Sequence, residues 1–380
     1  MPDTSKPPTP MPNRAPPGLS RRRCLTGLLV LGAAPLVCRP ARAAQVVDAS
    51  VQLREALQAE RQPGIAAVVV EHATVIARAV AGHADTERRV AVGERTVFEL
   101  GSVTKVLTAM LVFQLRDAGR LALDDPLARH VADLPPAWRV VTLRQLLSHT
   151  SGIPNYLDAG NFIGLMPTSP TPRTLLAMVS ERPLDFAPGT RHAYSNTNYI
   201  LAALAIENAA GMPYWQCLAS RLLAPLGMDD AGPRTASDAR PIADGHLLLN
   251  GHWLRPPPMG AGSGWAGGSL LASLRDMERL AVGLQGGRIL PADSLRAMWT
   301  DTPLRGGGTA GWSAGWEVVD AARGIVGHGG GTAGFTAYLR HDAPAQRTTV
   351  VLVNRAGEID PKAIAERVER AVLATRPEPV

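Results

Sequence analysis

Ser102 and Lys105 stand three residues apart at the start of an apolar run, Ser102-Val103-Thr104-Lys105-Val106-Leu107. On a helix that spacing puts both side chains on one face. A serine hydroxyl is a poor nucleophile until a neighbouring base takes its proton. Lys105 is one of only three lysines, with Lys6 and Lys362, among 39 Lys and Arg residues. A chain that uses arginine almost everywhere for positive charge has a lysine at this position. Arginine cannot release its proton, whereas burial makes lysine do so more readily. The pair therefore reads as nucleophile and base. At a helix start, free backbone N–H groups and the dipole also favour negative charge developing beside Ser102. Alone, Ser-x-x-Lys is better read as a capping serine and a snorkelling surface lysine, and the further strings decide against that.

Two further strings carry polar chemistry. Tyr194-Ser195-Asn196 follows Phe186-Ala187-Pro188-Gly189-Thr190. A phenol can relay a proton, and a side-chain amide can hold both an amine and a substrate amide. The alternative is a core tyrosine and an asparagine that caps the next helix. Gly327-His328-Gly329-Gly330-Gly331-Thr332 leads into Phe335, and a glycine-rich strand edge lets backbone N–H groups approach a ligand. A plain turn would look the same.

Taken together and in this order, the three strings resemble the Ser-x-x-Lys, Tyr-x-Asn, Lys-Thr-Gly or His-x-Gly pattern of the penicillin-recognising serine hydrolases. Family-like strings surround them: Phe98-Glu99-Leu100-Gly101-Ser102, Leu123-Asp124-Asp125-Pro126, and Thr142 through Gly152. The likeness covers roughly residues 47–375. It is strongest to the branch with class C β-lactamases, D-alanyl-D-alanine carboxypeptidases, D-aminopeptidases and family VIII esterases. The resemblance implies Ser102 as acylated nucleophile and Lys105 as its base. It implies Tyr194 in proton transfer to the leaving group and in deacylation. Asn196 would hold the substrate amide or carbonyl, with His328 and Gly330 at the third motif. The N–H groups of Ser102 and Gly331 would form the oxyanion hole. His149 and Ser151 fall in a string that reads as structural and are left out of the site. The family uses no cofactor and no metal, and its substrates are small molecules or peptides.

One departure bears on substrate. Class C β-lactamases carry Lys-Thr-Gly at the third motif, where this chain has His328-Gly329-Gly330. A permanent cation becomes an imidazole, and a hydroxyl becomes a glycine hydrogen. Both changes weaken the hold on an anionic β-lactam. The resemblance then implies a peptidase, D-aminopeptidase or small-ester hydrolase acting through an acyl-enzyme, rather than an efficient β-lactamase. A penicillin-binding sensor that acylates and stalls would carry the same residues.

Other patterns carry less. Gly311-Trp312-Ser313-Ala314-Gly315 matches a nucleophile elbow, but β-type residues follow it and no strand–turn–helix context is visible. Gly-Gly-Gly-Thr-Ala-Gly occurs at 306–311 and 329–334 without a βαβ unit around either copy. The nine histidines include no metal-binding pair of the H-E-x-x-H kind. Cys217 lies in an apolar helical run and reads as buried and inert.

Periodicity outlines the framework around these residues. A helix is expected near 49–60, then a hairpin of Ile65–Glu71 and Thr74–Ala81. A strong helix covers Ser102–Ala118. Thr142, Thr171-Pro172 and Ser273 with Asp276 read as helix starts, and Asn198–Ala210 as a helix closed by Gly211. Trp316–Val319, Gly324–Gly327, Phe335–Arg340 and Thr348–Val353 read as strands, and Asp360-Pro361 opens a last helix. The expected fold is an α/β (α+β) sandwich of the β-lactamase/transpeptidase type: an antiparallel sheet from both chain ends, flanked by helices, plus a mostly helical subdomain. The sheet part would hold 44–98 with 300–380, and the helical part 99–299.

The 380 residues carry a net charge of +6, which hints at a polyanion partner. Seven of the 39 basic residues and one of the 33 acidic residues lie in 1–43, so the rest is neutral and no nucleic-acid partner is expected. Residues 1–43 read as an export signal of the twin-arginine kind. Arg21-Arg22-Arg23 precedes the uncharged stretch Cys24–Val37, and Ala41-Arg42-Ala43 fits a cleavage site. That stretch is short of the about 20 apolar residues a spanning helix needs. A periplasmic or secreted chain is expected, with no membrane span after cleavage.

Overall fold

The computed structural model describes residues 39–160 and 167–375. The expected export signal lies outside the described residues up to position 38, together with Cys24 and Cys38. Contacts divide the chain into residues 1–40 and 41–380, and the second unit holds all the strands and every candidate site residue. The first helix is longer than expected. It begins at Arg39, not near 49, and runs to Ala59, so Ala41-Arg42-Ala43 lies in its opening turns. From Ala41 to Ala59 there is neither Gly nor Pro to stop a helix.

Seven strands build the main sheet. They are β1 (Gly64–Glu71), β2 (Thr74–Asp85), β3 (Val90–Ala91), and, much later, β9 (Glu317–Asp320), β10 (Ile325–Gly331), β11 (Thr336–Asp342) and β12 (Arg347–Val353). Their order is β3-β2-β1-β12-β11-β10-β9, with every pair antiparallel. The sheet is thus made from both chain ends, as the two groups of β-type runs predict. β1 and β2 join through His72 and Ala73, both at positive φ, as a two-residue hairpin turn requires.

Helices cover both faces. β1 is buried from Gly64 to Val70 and reads there as one apolar run, Gly-Ile-Ala-Ala-Val-Val-Val. Ala66, Val68 and Val70 join the larger core, with the helices Thr104–Asp117, Thr197–Ala210 and Leu274–Gln285. Ile65, Ala67 and Val69 point the other way, onto Leu53 and Leu57 of the first helix and Ile364, Val368 and Val372 of the last, Pro361–Leu373. A strand sandwiched by helices has no polar face, which explains why β1 lacks alternation.

The middle of the chain is less helical than its periodicity suggests. β4 (Val97–Glu99), β5 (Gly232–Pro233) and β8 (Leu270–Ser273) form one small sheet; β6 (His246–Leu249), β7 (His252–Leu254) and β13 (Arg355–Ala356) form another. β8 is buried along its whole length, so it shows no period of two. The β6–β7 turn is Asn250-Gly251, both at positive φ, a hairpin signal that was present in the sequence. The expected caps are in place: Thr142 with Gln145 and Ser273 with Asp276 form capping boxes, and Gly211 closes its helix in the left-handed region. Among the described residues no helix is long and apolar enough to cross a membrane.

Candidate active site

Ser102 lies in a single 3-10 turn, Gly101–Val103, that runs straight into the Thr104–Asp117 helix. Lys105 follows one turn on. Its side chain is fully buried, and its Nζ lies 3.0 Å from Ser102 Oγ. The same nitrogen donates to Asn196 Oδ1 at 2.7 Å and to the Gly267 carbonyl at 2.6 Å. No carboxylate pairs with it among the described residues. Burial therefore pushes the Lys105 ammonium well below its ordinary value of 10.5. An ammonium has three N–H groups for three acceptors. A neutral amine has two, which suit the two shorter bonds and leave its lone pair for the Ser102 hydroxyl. That is the arrangement a general base needs.

Asn196 stands at the cap position of the Thr197–Ala210 helix but makes no side-chain cap bond there. Its amide is used elsewhere. Nδ2 donates to Asn155 Oδ1 at 3.3 Å, which leaves Oδ1 for Lys105. Asn155 also accepts the Asn196 backbone N–H at 3.0 Å, so it orients the whole residue. Nothing in the local sequence marks Asn155 for this role, since the contact spans 41 positions.

Tyr194 precedes the same helix on an irregular stretch. The Lys105 Nζ lies 4.9 Å from its ring centroid. Burial pushes the phenol above its ordinary 10.0, and its hydrogen bond with Ser102 pulls the other way. Ser102, Lys105, Tyr194 and Asn196 are thus brought together.

The third motif reaches them from the sheet. β9 pairs with β10 only as far as Gly327, so His328–Gly331 run on with β11 alone beside them. The uncovered edge meets the Ser102 turn. A Cβ at Gly101, where φ is +50°, would lie 2.6 Å from Gly331 N, and one at Gly330 would fall on the Leu100 carbonyl. Only glycines allow this approach of backbone to backbone. It brings the Gly331 N–H beside the nucleophile turn, where a developing oxyanion would sit. His328 is buried and its Nδ1 donates to the Gly329 carbonyl at 2.6 Å. Burial first, and then the Lys105 charge, push its pKa down to about 3. It is a neutral ring, with Nε2 buried and without a hydrogen-bond partner among the described residues.

The structure adds an aromatic wall that sequence reasoning missed. His149, set aside as structural, stacks on Tyr194 with centroids 4.2 Å apart. Trp312 lies edge-on to Tyr194, His149 and His328 and stacks on His192. Trp312 belongs to the elbow-like string, yet the adjacent Ser313 is buried and bonded to the Trp316 carbonyl. Ser151 does have a structural role: its Oγ donates to Asn198 and accepts from Ile153 N. Cys217 is buried and free.

A family model described as Beta-lactamase matches residues 50–374. The chain belongs to the β-lactamase family. It is 33% identical over 208 residues to esterase EstB of Burkholderia gladioli, covering 50% of this chain and 53% of that one. It is 26% identical over 235 residues to the putative penicillin-binding protein PbpX of Bacillus subtilis, covering 62% and 58%. These matches span little more than half the length of either relative. Among solved structures, an octameric penicillin-binding protein homologue from Pyrococcus abyssi superposes with TM-score 0.72 at 26% identity, covering 87% of this chain and 77% of that one. The D-amino acid amidase of Ochrobactrum anthropi SV3 shares the fold with TM-score 0.75 at 22% identity, covering 87% and 100%.

Proposed function

We propose that this member of the β-lactamase family is a serine hydrolase that works through a Ser102 acyl-enzyme. Its substrates would be esters, amides or peptides whose leaving group bears no free carboxylate. The observation that carries the reading is the buried, carboxylate-free Lys105 amine 3.0 Å from Ser102 Oγ. Lys105 takes the hydroxyl proton as Ser102 attacks the carbonyl. The Ser102 and Gly331 N–H groups hold the oxyanion. Tyr194, bonded to Ser102, passes a proton to the leaving group and regains one from the Lys105 ammonium. Water then attacks the ester carbonyl and gives its proton to this pair, and the released Ser102 takes that proton back. Asn196 stays with Lys105 and offers its amide to the substrate.

The carboxylate preference rests on His328. A ring pushed down to about 3 carries no charge near neutral pH, and Gly330 offers no hydroxyl. Neither can pair with a carboxylate. The likeness to esterase EstB supports the ester end of this range. Export by the N-terminal segment belongs to the same proposal and rests on the charge pattern of residues 1–43 alone.

The test is steady-state turnover of a short p-nitrophenyl ester, a D-amino acid amide and benzylpenicillin by the full chain. The reading expects repeated turnover of the ester or the amide, and penicillin hydrolysis slower by about 10- to 100-fold, the scale lost with a charge-assisted contact. Penicillin turned over as fast as the ester would overturn the preference. One equivalent of product without a steady state would favour the acylating sensor.

A further inference from the structure

We propose that His149 is a positioning residue for Tyr194: it straps the backbone on both sides of the tyrosine and backs its ring against the Lys105 amine. This rests on the proton-transfer role proposed for Tyr194. The Ala193 N–H donates to the His149 carbonyl at 2.9 Å, and the Ser195 N–H donates to His149 Nδ1 at 3.2 Å. The two backbone N–H groups flanking Tyr194 thus both end on one residue. Asn198 Nδ2 lies 3.3 Å from the same Nδ1, so the imidazole is held from the next helical turn as well.

The ring contact completes the strap. The His149 and Tyr194 planes are 28° apart at 4.2 Å, with His149 fully buried. Tyr194 therefore has an imidazole on one side and the Lys105 Nζ within 4.9 Å of its ring. Because a backbone N–H can only donate, Nδ1 must be an acceptor, and the neutral ring carries its proton on Nε2. A neutral ring is what burial and the neighbouring Lys105 favour. A charged one would repel the Lys105 ammonium across the tyrosine. The backbone is held out of its ordinary range to achieve this: His149 has φ +56°, a left-handed conformation uncommon outside glycine. Strain of this kind persists where the surroundings over-determine it.

A structural histidine and a positioning histidine make different predictions, and a double-mutant cycle with Tyr194→Phe separates them. His149→Asn tolerates the left-handed backbone and keeps the carbonyl strap, but removes the ring. Two rates would be followed: ester kcat and KM, and the second-order rate of Ser102 labelling by a fluorophosphonate. The proposal expects kcat to fall about 10- to 100-fold, the scale of a misplaced group, with KM within about threefold. On the Tyr194→Phe background the same change should cost less than about twofold more, because its effect runs through the phenol. A kcat within about twofold of wild type, or the full loss repeated on that background, would overturn the proposal. If His149→Asn does not fold, His149→Phe replaces it in the same cycle. It keeps an aromatic face, so the proposal expects kcat above that of Tyr194→Phe, and a kcat at or below that level overturns it. Tyr194→Phe alone tests whether the phenol takes part in acylation. If it slows acylation while His149→Asn does not, only the positioning role of His149 fails.

Discussion

Two buried cationic regions lie on opposite sides of the main sheet and are built differently. On the face carrying the last helix, Glu369 accepts Arg340 at 3.1 Å, Arg347 at 3.0 Å and Thr349 at 3.1 Å. Arg347 reaches on to Glu71 at 3.3 Å. Each guanidinium has a carboxylate. On the other side, Lys105 has a hydroxyl, an amide and a carbonyl, and no carboxylate among the described residues. An arginine network compensates every charge and cannot lose a proton, so it holds β1, β11, β12 and the last helix together. A desolvated lysine among neutral acceptors is poised to lose its proton. Pairing marks structure in this protein, and its absence marks chemistry.

Lys105→Met should break the second region most severely. Removing a positioned base costs about 10²- to 10⁴-fold in kcat. The stability loss should stay at about 2–6 kcal/mol, the cost of two acceptors left without a donor at about 1–3 kcal/mol each. The pH profile sharpens this. Burial favours the neutral amine, so wild-type kcat/KM should climb with pH through a value well below 10.5. His328, already neutral above about 3, should add no step near its ordinary 6.5. Rate profiles of wild type and Lys105→Met from about pH 4 to 10, bracketing the lowered lysine value, with urea unfolding of both, check each part.

Glu369→Gln should do the reverse. It leaves the buried Arg340 without its carboxylate, while Arg347 keeps Glu71 and Asp342, and should destabilise by about 3 kcal/mol. The kcat of the folded fraction should remain within about twofold, because no atom of the network touches the site. Denaturant midpoints and kcat measured on one preparation would show whether the two regions are independent. Asn155→Ala should have the smallest effect. It removes the acceptor of both the Asn196 side-chain amide and its backbone N–H. Only the side-chain bond, about 1 kcal/mol, bears on the contact with Lys105, so kcat/KM should fall about fivefold. A loss as large as that of Lys105→Met would mean that Asn196 needs Asn155 to reach Lys105 at all.

Legibility in the sequence depended on the range of each interaction. Ser102 and Lys105 meet through one helical turn, and the rarity of lysine marked the base. The strands of both chain ends were visible because long apolar runs declare themselves even when buried on both faces. His149, Asn155 and Trp312 were not legible as site residues, because each meets Tyr194 or Asn196 only after separate loops have folded. β4, β5 and β8 span at most four residues each, too few to show a period. Asn250-Gly251 did signal a hairpin, and it was hidden by the helical character of the chain around it.

Ser102 is acylated, on this reading, because Lys105 can take its proton. The decisive experiment is intact-mass analysis and peptide mapping of the full chain with a fluorophosphonate, with Ser102→Ala and Lys105→Met alongside. One adduct is expected, on Ser102, absent in Ser102→Ala and formed at least about 100-fold more slowly in Lys105→Met. An adduct on another residue, or labelling of Lys105→Met at the wild-type rate, would contradict it.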